Sequence, residues 1–224
     1  MNTKLELLHE DDDVVVVNKP GGLLVHRSRE SADKIVLLQE LRNQVGRYVY
    51  PVHRLDRAAS GVIVFAYSSS TARALQEGLG SPDAVKEYLA LVRGSAPEHA
   101  VTERPLTDEN GVKKAACTEL WRVAEFSRLS LLRVRINTGR RHQIRRHLAH
   151  LKHQVLGDTT YGKGRINQHF RTEYGLPRLF LHACLLDVKH PTTDDRLVVR
   201  APLQRDLREF LSRLPDCPRN VVEM

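Results

Sequence analysis

Cysteine is scarce in this sequence of 224 residues, and the three that it has are Cys117, Cys184 and Cys217. Their number is odd, they lie far apart and they form no C-x-x-C pair, which excludes a disulfide framework and a zinc ribbon. Such cysteine usage is typical of a protein kept in a reducing compartment. We therefore expect a cytoplasmic protein.

Long hydrophobic runs are absent as well. The longest apolar run near the start, residues 14–17, is far too short to span a bilayer, and residues 1–10 contain no apolar signal-peptide core. The sequence also lacks both phosphate-binding glycine patterns, G-x-x-x-x-G-K-[ST] and G-x-G-x-x-G. We expect no membrane segment and no nucleotide cofactor.

No linker rich in proline, glycine and serine divides the chain. A length of 224 residues is enough for one domain with a good core. We therefore predict a single domain over residues 1–224, whose two lobes share one sheet.

Acidic residues are fewer than basic ones, 27 Asp and Glu against 35 Lys and Arg, and the formal net charge is +8. This excess of positive charge favours a polyanionic partner such as a nucleic acid. Many basic proteins bind nothing acidic, so the composition indicates a function only together with motifs.

Hydrophobic periodicity predicts more strands than helices. The first helix is expected to end at Gly46, and Ser69 is expected to cap the second. The predicted strands cover residues 5–8, 14–17, 48–52, 62–66, 88–92, 118–123, 129–136, 179–188 and 197–199, and the predicted helices cover residues 35–45, 69–79, 140–152 and 203–214. The many hairpin-linked strands indicate an α+β fold with a central mixed, largely antiparallel sheet flanked by helices and loops.

A carboxylate between two arginines is the most informative local feature. Residues 53–61 read His-Arg-Leu-Asp-Arg-Ala-Ala-Ser-Gly, which places Asp56 between Arg54 and Arg57. Fixed cations keep a carboxylate ionised and hold it in one orientation, as an aspartate nucleophile requires. By itself the pattern also fits an ion pair in a surface turn.

A second feature is a strongly basic segment. Residues 139–153 contain five Lys or Arg, four His and no acid. Apolar residues at helical spacing form one buried face, so the other face is predicted to present basic side chains to a partner. These are Arg141, Arg145, Arg146 and Lys152.

Two other readings of this segment stay open. One is a solvated basic face without a partner. The other is a metal site formed by His147, His150 and His153, which neighbouring cations and the lack of an Asp, Glu or Cys ligand disfavour. We expect no metal.

Five segments, in the same order along the chain, resemble motifs of the RluA-type pseudouridine synthase family. The segment around Asp56 resembles His-Arg-Leu-Asp-x-x-Thr-Ser-Gly, with Ala59 at the usual threonine. Residues 137–158 resemble the Thr-Gly-Arg-x-His-Gln-Ile-Arg-x-His motif and the Gly-Asp pair that follows it. The remaining three are residues 15–22, Lys86-Glu87-Tyr88 and Leu181-His182-Ala183. The resemblance implies the pseudouridine synthase fold and the cofactor-free isomerisation of uridine in RNA to pseudouridine.

The resemblance also implies roles for single residues. Asp56 would be the essential carboxylate, either as a nucleophile at carbon or as a base, and Arg145 would be its ion-pair partner. Tyr88 would stack on the target uracil and serve as acid or base, and Leu181 would pack against the other side of the base. A base in a stem must be flipped out, and Arg54 would then fill the vacated stack.

Other basic residues are candidates for phosphate contacts, which add affinity and salt dependence but no sequence choice. They are Lys19, Arg57, Arg140, Arg141, Arg146, Lys163 and Arg165. At Ala59 the lost hydroxyl is expected to change turnover only modestly, because Ser60 still offers one.

Within the family, residues 25–28, 145–151 and 161–178 resemble the branch that modifies tRNA, with uridine 65 as the expected target. The insertion at 161–178 mixes aromatic and basic residues, which suits nucleic acid contact but is equally typical of a mobile surface loop. No S4-like domain is expected before the catalytic segment, which favours a small RNA. We expect a cytoplasmic monomer that binds tRNA.

Three alternatives remain. The enzyme could act on ribosomal RNA, or on both RNAs. The chain could be a non-catalytic RNA chaperone on the same fold. An unrelated aspartate-dependent hydrolase would need a second acidic group near Asp56, which the sequence lacks, and would leave the basic segment unexplained.

Overall fold

The computed structural model describes residues 4–27, 35–193 and 195–223, so Ser28 of the tRNA-branch resemblance lies outside the described residues. The elements in chain order are β1 Leu7–Glu10, β2 Val14–Lys19, α1 Leu37–Val45, β3 Tyr50–Pro51, β4 Ser60–Ala66, α2 Ser69–Gly80, β5 Val85–Arg93, β6 His99–Thr102, β7 Leu106–Thr107, β8 Lys113–Lys114, β9 Thr118–Phe126, β10 Leu129–Ile136, α3 Gln143–His150, α4 Gly164–Tyr174, β11 Leu181–Lys189, β12 Arg196–Arg200, α5 Arg205–Ser212 and α6 Arg219–Val222.

The chain forms two compact units. The first comprises Met1–Val85 and Ala183–Ala201, and the second comprises Lys86–His182 and Pro202–Met224. The class is α+β with largely antiparallel strands, as predicted. No helix in the described part of the chain has the length and apolar character needed to cross a membrane.

In the first unit the strand order is β1-β2-β4-β11, with β3 beside β4 and β12 beside β11. Every residue of β2 and of β4 is buried, which explains why residues 14–17 and 62–66 within them are apolar runs without alternation. Apolar side chains of these strands and of α2, such as Val16, Val64 and Leu75, form the core.

The register of β2 and β4 places two loops at the same end of this sheet. The strands are antiparallel, and Lys19 at the end of β2 pairs with Gly61 near the start of β4. The loop that follows β2 and the loop that precedes β4 therefore leave the sheet side by side.

In the second unit the strand order is β5-β10-β9-β6, and each of these neighbours is antiparallel. Strands β7 and β8 form a separate two-stranded hairpin. An aromatic contact stabilises the helical side, where the ring centroids of Phe170 in α4 and Phe210 in α5 lie 6.4 Å apart.

The structure corrects three local predictions. The second helix is capped by Ser68, whose Oγ accepts the N–H of Thr71 at 3.0 Å, and not by Ser69. The helix predicted over 140–152 covers only Gln143–His150, because His142 and Lys152 have positive φ angles of 52° and 67°. The insertion at 161–178 contains an eleven-residue helix, α4, that packs its aromatic rings against one another.

Candidate active site

Asp56 lies in the loop that joins β3 to β4. Leu55 and Ala59 are buried and anchor the loop, whereas Arg54 is exposed and Asp56 is half-buried. The N–H of Ala59 donates to the carbonyl oxygen of Asp56 at 3.1 Å and closes a turn. The loop therefore presents the Asp56 side chain from a fixed backbone.

The prediction that Lys19 contacts a phosphate is wrong. Its side chain is fully buried, with 0% relative exposure. The ammonium donates to the carbonyl oxygens of Pro20 at 2.9 Å, Leu23 at 2.7 Å and Arg57 at 3.2 Å. A buried charge requires such partners, so Lys19 joins the two loops instead of binding RNA.

Arg57 makes the same connection from the other side. Its carbonyl oxygen accepts the N–H of Gly22 at 2.8 Å, and its Nε donates to the carbonyl oxygen of Gly22 at 3.0 Å. The side chain is exposed, so a phosphate contact by Arg57 stays a prediction.

Gly61 fixes the path of the chain after the Asp56 loop. Its φ is +109°, and a Cβ atom there would lie 2.1 Å from the carbonyl oxygen of Ala183 in β11. Only glycine accommodates that approach. The motif glycine is therefore needed for the packing of β4 against β11.

Arg145 lies in α3 and is buried, with 7% relative exposure, so the predicted exposed basic face of this helix does not include it. Its Nε and Nη2 donate to Oδ2 and Oδ1 of Asp158, each at 2.8 Å. Nη2 also donates to Thr160 Oγ1 at 3.2 Å. Two parallel bonds to a carboxylate fix the plane of the guanidinium.

The Asp158 carboxylate also accepts backbone N–H groups. Thr160 donates to Oδ1 at 2.8 Å and Tyr161 at 3.0 Å. Burial by itself raises the pKa of this carboxyl, but the hydrogen bonds from Arg145, Tyr161 and Thr160 outweigh it and lower the pKa below its usual value. Asp158 is therefore ionised at neutral pH.

Tyr161 adds an aromatic wall beside this ion pair. The centroid of its ring lies 5.2 Å from Cζ of Arg145, within the range of a cation–π contact. Its hydroxyl lies 3.1 Å from Nδ1 of His142 at the start of α3. The ring thus links the segment after Asp158 to the helix that carries Arg145.

Tyr88 lies on the sheet face that α3 covers. In the antiparallel register Tyr88 pairs with Val134, which pairs with Leu120, and paired residues share a face. Thr118, two residues before Leu120, shares that face and its Oγ1 accepts Nε2 of Gln143 in α3 at 3.0 Å. The second unit therefore holds Tyr88 and Arg145 on the same side of its sheet.

Two further residues of the family motifs, Lys86 and Leu181, are at least half-buried. Lys86 shares the face of Tyr88, and burial lowers its pKa. Leu181, at the start of β11, is buried with 5% relative exposure. Its predicted contact with the target base stays a prediction.

Three arginines predicted to bind RNA hold the β7–β8 hairpin. Arg140 Nε donates to the carbonyl oxygen of Ala115 at 3.0 Å, and Arg146 Nη1 donates to that of Thr107 at 3.0 Å. Arg141 Nη1 lies 2.9 Å from Oε1 of Glu109. Each of these side chains thus already makes a contact within the protein, and its contact with RNA stays a prediction.

Lys163 and Arg165 are exposed at the start of α4. Among the described residues, no hydrogen bond or ion pair engages the charged group of either side chain. They therefore remain the plainest candidates for phosphate contacts among the predicted residues.

The histidines of α3 are not arranged for a metal ion. His147 is buried, and its Nδ1 and Nε2 lie 2.9 Å from Thr118 Oγ1 and from the carbonyl oxygen of Arg104. With both ring nitrogens in hydrogen bonds, His147 is a structural residue. Within the described ranges, the group that has metal-like spacing is a different one, Asp11, Asp13 and His190.

Sequence reasoning assigned no role to Asp158, Tyr161 and Asn167. Asp158 was visible as part of the Gly-Asp pair, thirteen residues after Arg145, but the distance between their side chains depends on the turn after α3. Asn167 belongs to the segment 161–178 that resembles the tRNA branch, but the sequence indicated no role for it. It is buried in α4, and its side chain bonds to the backbone of Gly157 and Asp158 at 2.9 and 2.8 Å.

Comparison with known sequences gives one consistent result. A model of the RNA pseudouridylate synthase family matches residues 13–150. The chain is 37% identical over 232 residues to tRNA pseudouridine synthase C of Vibrio vulnificus, covering 93% of this chain and 95% of that protein. It is 38% identical over 231 residues to the protein of the same name from Vibrio cholerae, with the same coverage.

Solved structures show the same fold. The chain superposes on human RNA Pseudouridylate Synthase Domain Containing 4 with a TM-score of 0.76 and 24% identity, covering 93% of this chain and 92% of that one. Human RNA Pseudouridylate Synthase Domain Containing 1 gives a TM-score of 0.74 at 23% identity, covering 90% and 84%.

Proposed function

The chain belongs to the RNA pseudouridylate synthase family and is a pseudouridine synthase, and from this premise we propose that it converts one uridine of tRNA, position 65, to pseudouridine. The observation that carries the choice of tRNA is the identity of 37% over nearly the whole chain to tRNA pseudouridine synthase C. We propose further that both units act as one catalytic domain, as a cytoplasmic monomer without a cofactor.

The reaction is an isomerisation. The bond between N1 of uracil and C1′ of ribose breaks, and a bond between C5 and C1′ forms. The hydrogen on C5 leaves to solvent, and N1 gains one. No electron donor, metal or nucleotide is needed to balance the step.

Asp56 is proposed as the essential carboxylate. Its loop is joined to the loop after β2 by Lys19 and Arg57, which supports a fixed approach of the carboxylate to the ribose. We propose that Arg145 pairs with Asp56 and keeps it charged where water is excluded. The buried guanidinium, already oriented by Asp158, supports this role.

Tyr88 is proposed to stack on the target uracil and to serve as an acid or base in the reaction. Its place on the α3 side of the sheet supports a role beside Arg145. Leu181 is proposed to pack on the other face of the base, and exposed Arg54 to fill the gap left by the flipped nucleotide.

RNA contacts are proposed for the basic residues that remain, all of them exposed except the half-buried Arg146. Lys163 and Arg165 mark the start of α4, Arg57 lies beside Asp56, and Arg140, Arg141 and Arg146 accompany the β7–β8 hairpin. Such contacts position an RNA by its backbone and shape.

The test is single-nucleotide mapping of pseudouridine in unmodified transcripts of tRNA and ribosomal RNA after incubation with purified protein alone. A product at position 65 of tRNA is the expected result. A product in ribosomal RNA only would keep the chemistry and overturn the substrate. No product in either, with RNA still bound, would overturn the enzymatic reading in favour of an RNA chaperone.

A further inference from the structure

Asp158, to which the family resemblance assigns no role, forms a buried ion pair with Arg145 in the second unit. The Asp158 side chain has 0% relative exposure. It accepts four hydrogen bonds, two from Arg145 and two from the backbone of Thr160 and Tyr161. Both carboxylate oxygens are used, so the group has one stable orientation.

The backbone around Asp158 is equally fixed. Gly157 has a φ of +81°, and a Cβ atom there would lie 2.2 Å from the carbonyl oxygen of Arg178. At Gly162 a Cβ atom would lie 2.2 Å from the carbonyl oxygen of Asp158. Only glycine fits these approaches, so the turn cannot shift without the segments it touches.

Asn167 seats this turn against α4. The residue is buried, with 3% relative exposure. Its Oδ1 accepts the N–H of Gly157 and its Nδ2 donates to the carbonyl oxygen of Asp158. The amide group of Asn167 thus satisfies both the N–H of Gly157 and the carbonyl oxygen of Asp158, and it fixes the turn against α4.

We propose that Asp158 is a positioning residue of the isomerisation, which acts by holding the guanidinium of Arg145 in its working orientation. The inference rests on the proposed role of Arg145. A carboxylate at a fixed point selects one plane for the guanidinium, and its charge makes the burial of a cation tolerable. Tyr161 covers the cation, and Thr160 supports it through Nη2.

The first test is the rate at which tritium leaves C5 of [5-³H]uridine in a tRNA transcript, at saturating enzyme in a single turnover. Asp158→Asn keeps the shape and removes the charge. We expect the saturating rate to fall about 100-fold, the order of a misplaced catalytic group, while the enzyme concentration for half-saturation changes less than about threefold. A rate within about threefold of wild type in a folded variant would overturn the proposal.

The matched control is Asp206→Asn. Asp206 accepts Nε and Nη2 of Arg178 at 2.7 and 3.0 Å in the same two-bond arrangement. Its loss is expected to lower the melting temperature and to leave the saturating rate within about threefold of wild type. An equal loss of rate in both variants would show a general effect of broken ion pairs and would overturn the proposal.

A double variant with Arg145 distinguishes a positioning role of Asp158 from a contribution to stability alone. If Asp158 acts through Arg145, the double variant Asp158→Asn with Arg145→Lys should be no more than about threefold slower than Arg145→Lys alone. Multiplied effects would overturn the proposal. If Asp158→Asn does not fold, Thr160→Val at an exposed position replaces it, with an expected loss of about fivefold, and an unchanged rate would overturn the proposal.

A failure of the proposed function would give a different result from a failure of the role of Asp158. If wild-type protein releases no tritium from tRNA or from ribosomal RNA, the isomerase assignment of Arg145 falls and this inference falls with it. If wild type is active, only the variants bear on Asp158.

Discussion

The ammonium nitrogen of Lys19 lies 3.2 Å from the carbonyl oxygen of Arg57, the residue that follows Asp56. Together with two carbonyl oxygens of its own loop, at Pro20 and Leu23, this contact turns a lysine into the link between two loops. The Asp56 loop is thus held by the buried ammonium group of Lys19.

Replacing Lys19 should cost stability and not RNA affinity. In Lys19→Met the carbonyl oxygens of Pro20 and Leu23 lose the ammonium donor, and that of Arg57 keeps only the N–H of Gly22, so we expect the free energy of unfolding to fall by about 3 kcal/mol. Urea unfolding measures it. The control Lys163→Met, at an exposed position, should change it by less than about 0.5 kcal/mol, and a similar small effect for Lys19→Met would refute the buried role.

Gly61→Ala should disrupt the packing of β4. The new Cβ would lie 2.1 Å from the carbonyl oxygen of Ala183, and the backbone has a φ of +109°. We expect a loss of about 3 kcal/mol or more. At Gly46, φ is +67° and nothing lies within 4 Å, so Gly46→Ala should cost only about 1 kcal/mol. Equal losses in thermal or urea unfolding would contradict the close approach.

Stability should depend on Asp11 only above acid pH. Burial raises the pKa of this carboxyl, but hydrogen bonds from His9, from the N–H groups of Asp13 and Val14 and from His190 lower it from 3.8 to about 2. A carboxyl whose folded pKa is lowered stabilises the fold above its unfolded pKa and loses that effect as the pH falls through the folded pKa.

The pH window is therefore about 4 to 2. Asp11→Asn should be less stable than wild type at pH 7, and the difference should shrink as the pH falls through that window. Urea unfolding at a series of pH values measures this. The exposed Asp12→Asn in the same turn controls for net charge, and a difference that persists unchanged at pH 2 would count against the hydrogen-bonded role.

Arg165 should contribute to the salt dependence of RNA binding. Arg165→Gln removes one exposed cation at the start of α4, so the slope of log affinity against log salt should fall by about 1. Fluorescence anisotropy with tRNA between 50 and 200 mM salt, about the range over which such effects are large, measures it. Arg73→Gln on α2, an exposed arginine paired with Glu77, should leave the slope unchanged; if both variants behave alike, α4 is not part of the RNA surface.

The elements that carry Asp56 and Tyr88 could be predicted, because their strands are short apolar runs with clear turn residues on either side. The burial of Lys19 could not, since one of its three acceptors lies 38 positions away and the sequence shows only a lysine before a proline. The sequence did not predict helix α4, because the contact of Phe170 with Phe210 in α5 is a tertiary one and a mixture of aromatic and basic residues has the same composition as an RNA-binding loop.

The pairing of Arg145 with Asp158 shows most clearly what could not be predicted from the sequence. Motif position indicates that Arg145 matters, but not that Asp158 holds it, because the turn between them is set by two glycines and by Asn167 from a later helix. Short elements such as β7 and β8, of two residues each, carry no periodicity at all. Tertiary contacts decide such features.

The most direct test of the account is tritium release from C5 of uridine in tRNA by wild type and by Asp56→Asn, with RNA binding measured on the same preparations. We expect no release by Asp56→Asn, unchanged release by the exposed control Asp83→Asn, and tRNA affinity within about threefold of wild type for both. Release by Asp56→Asn at a rate close to that of wild type would show that Asp56 is not the catalytic carboxylate and would contradict the proposed mechanism.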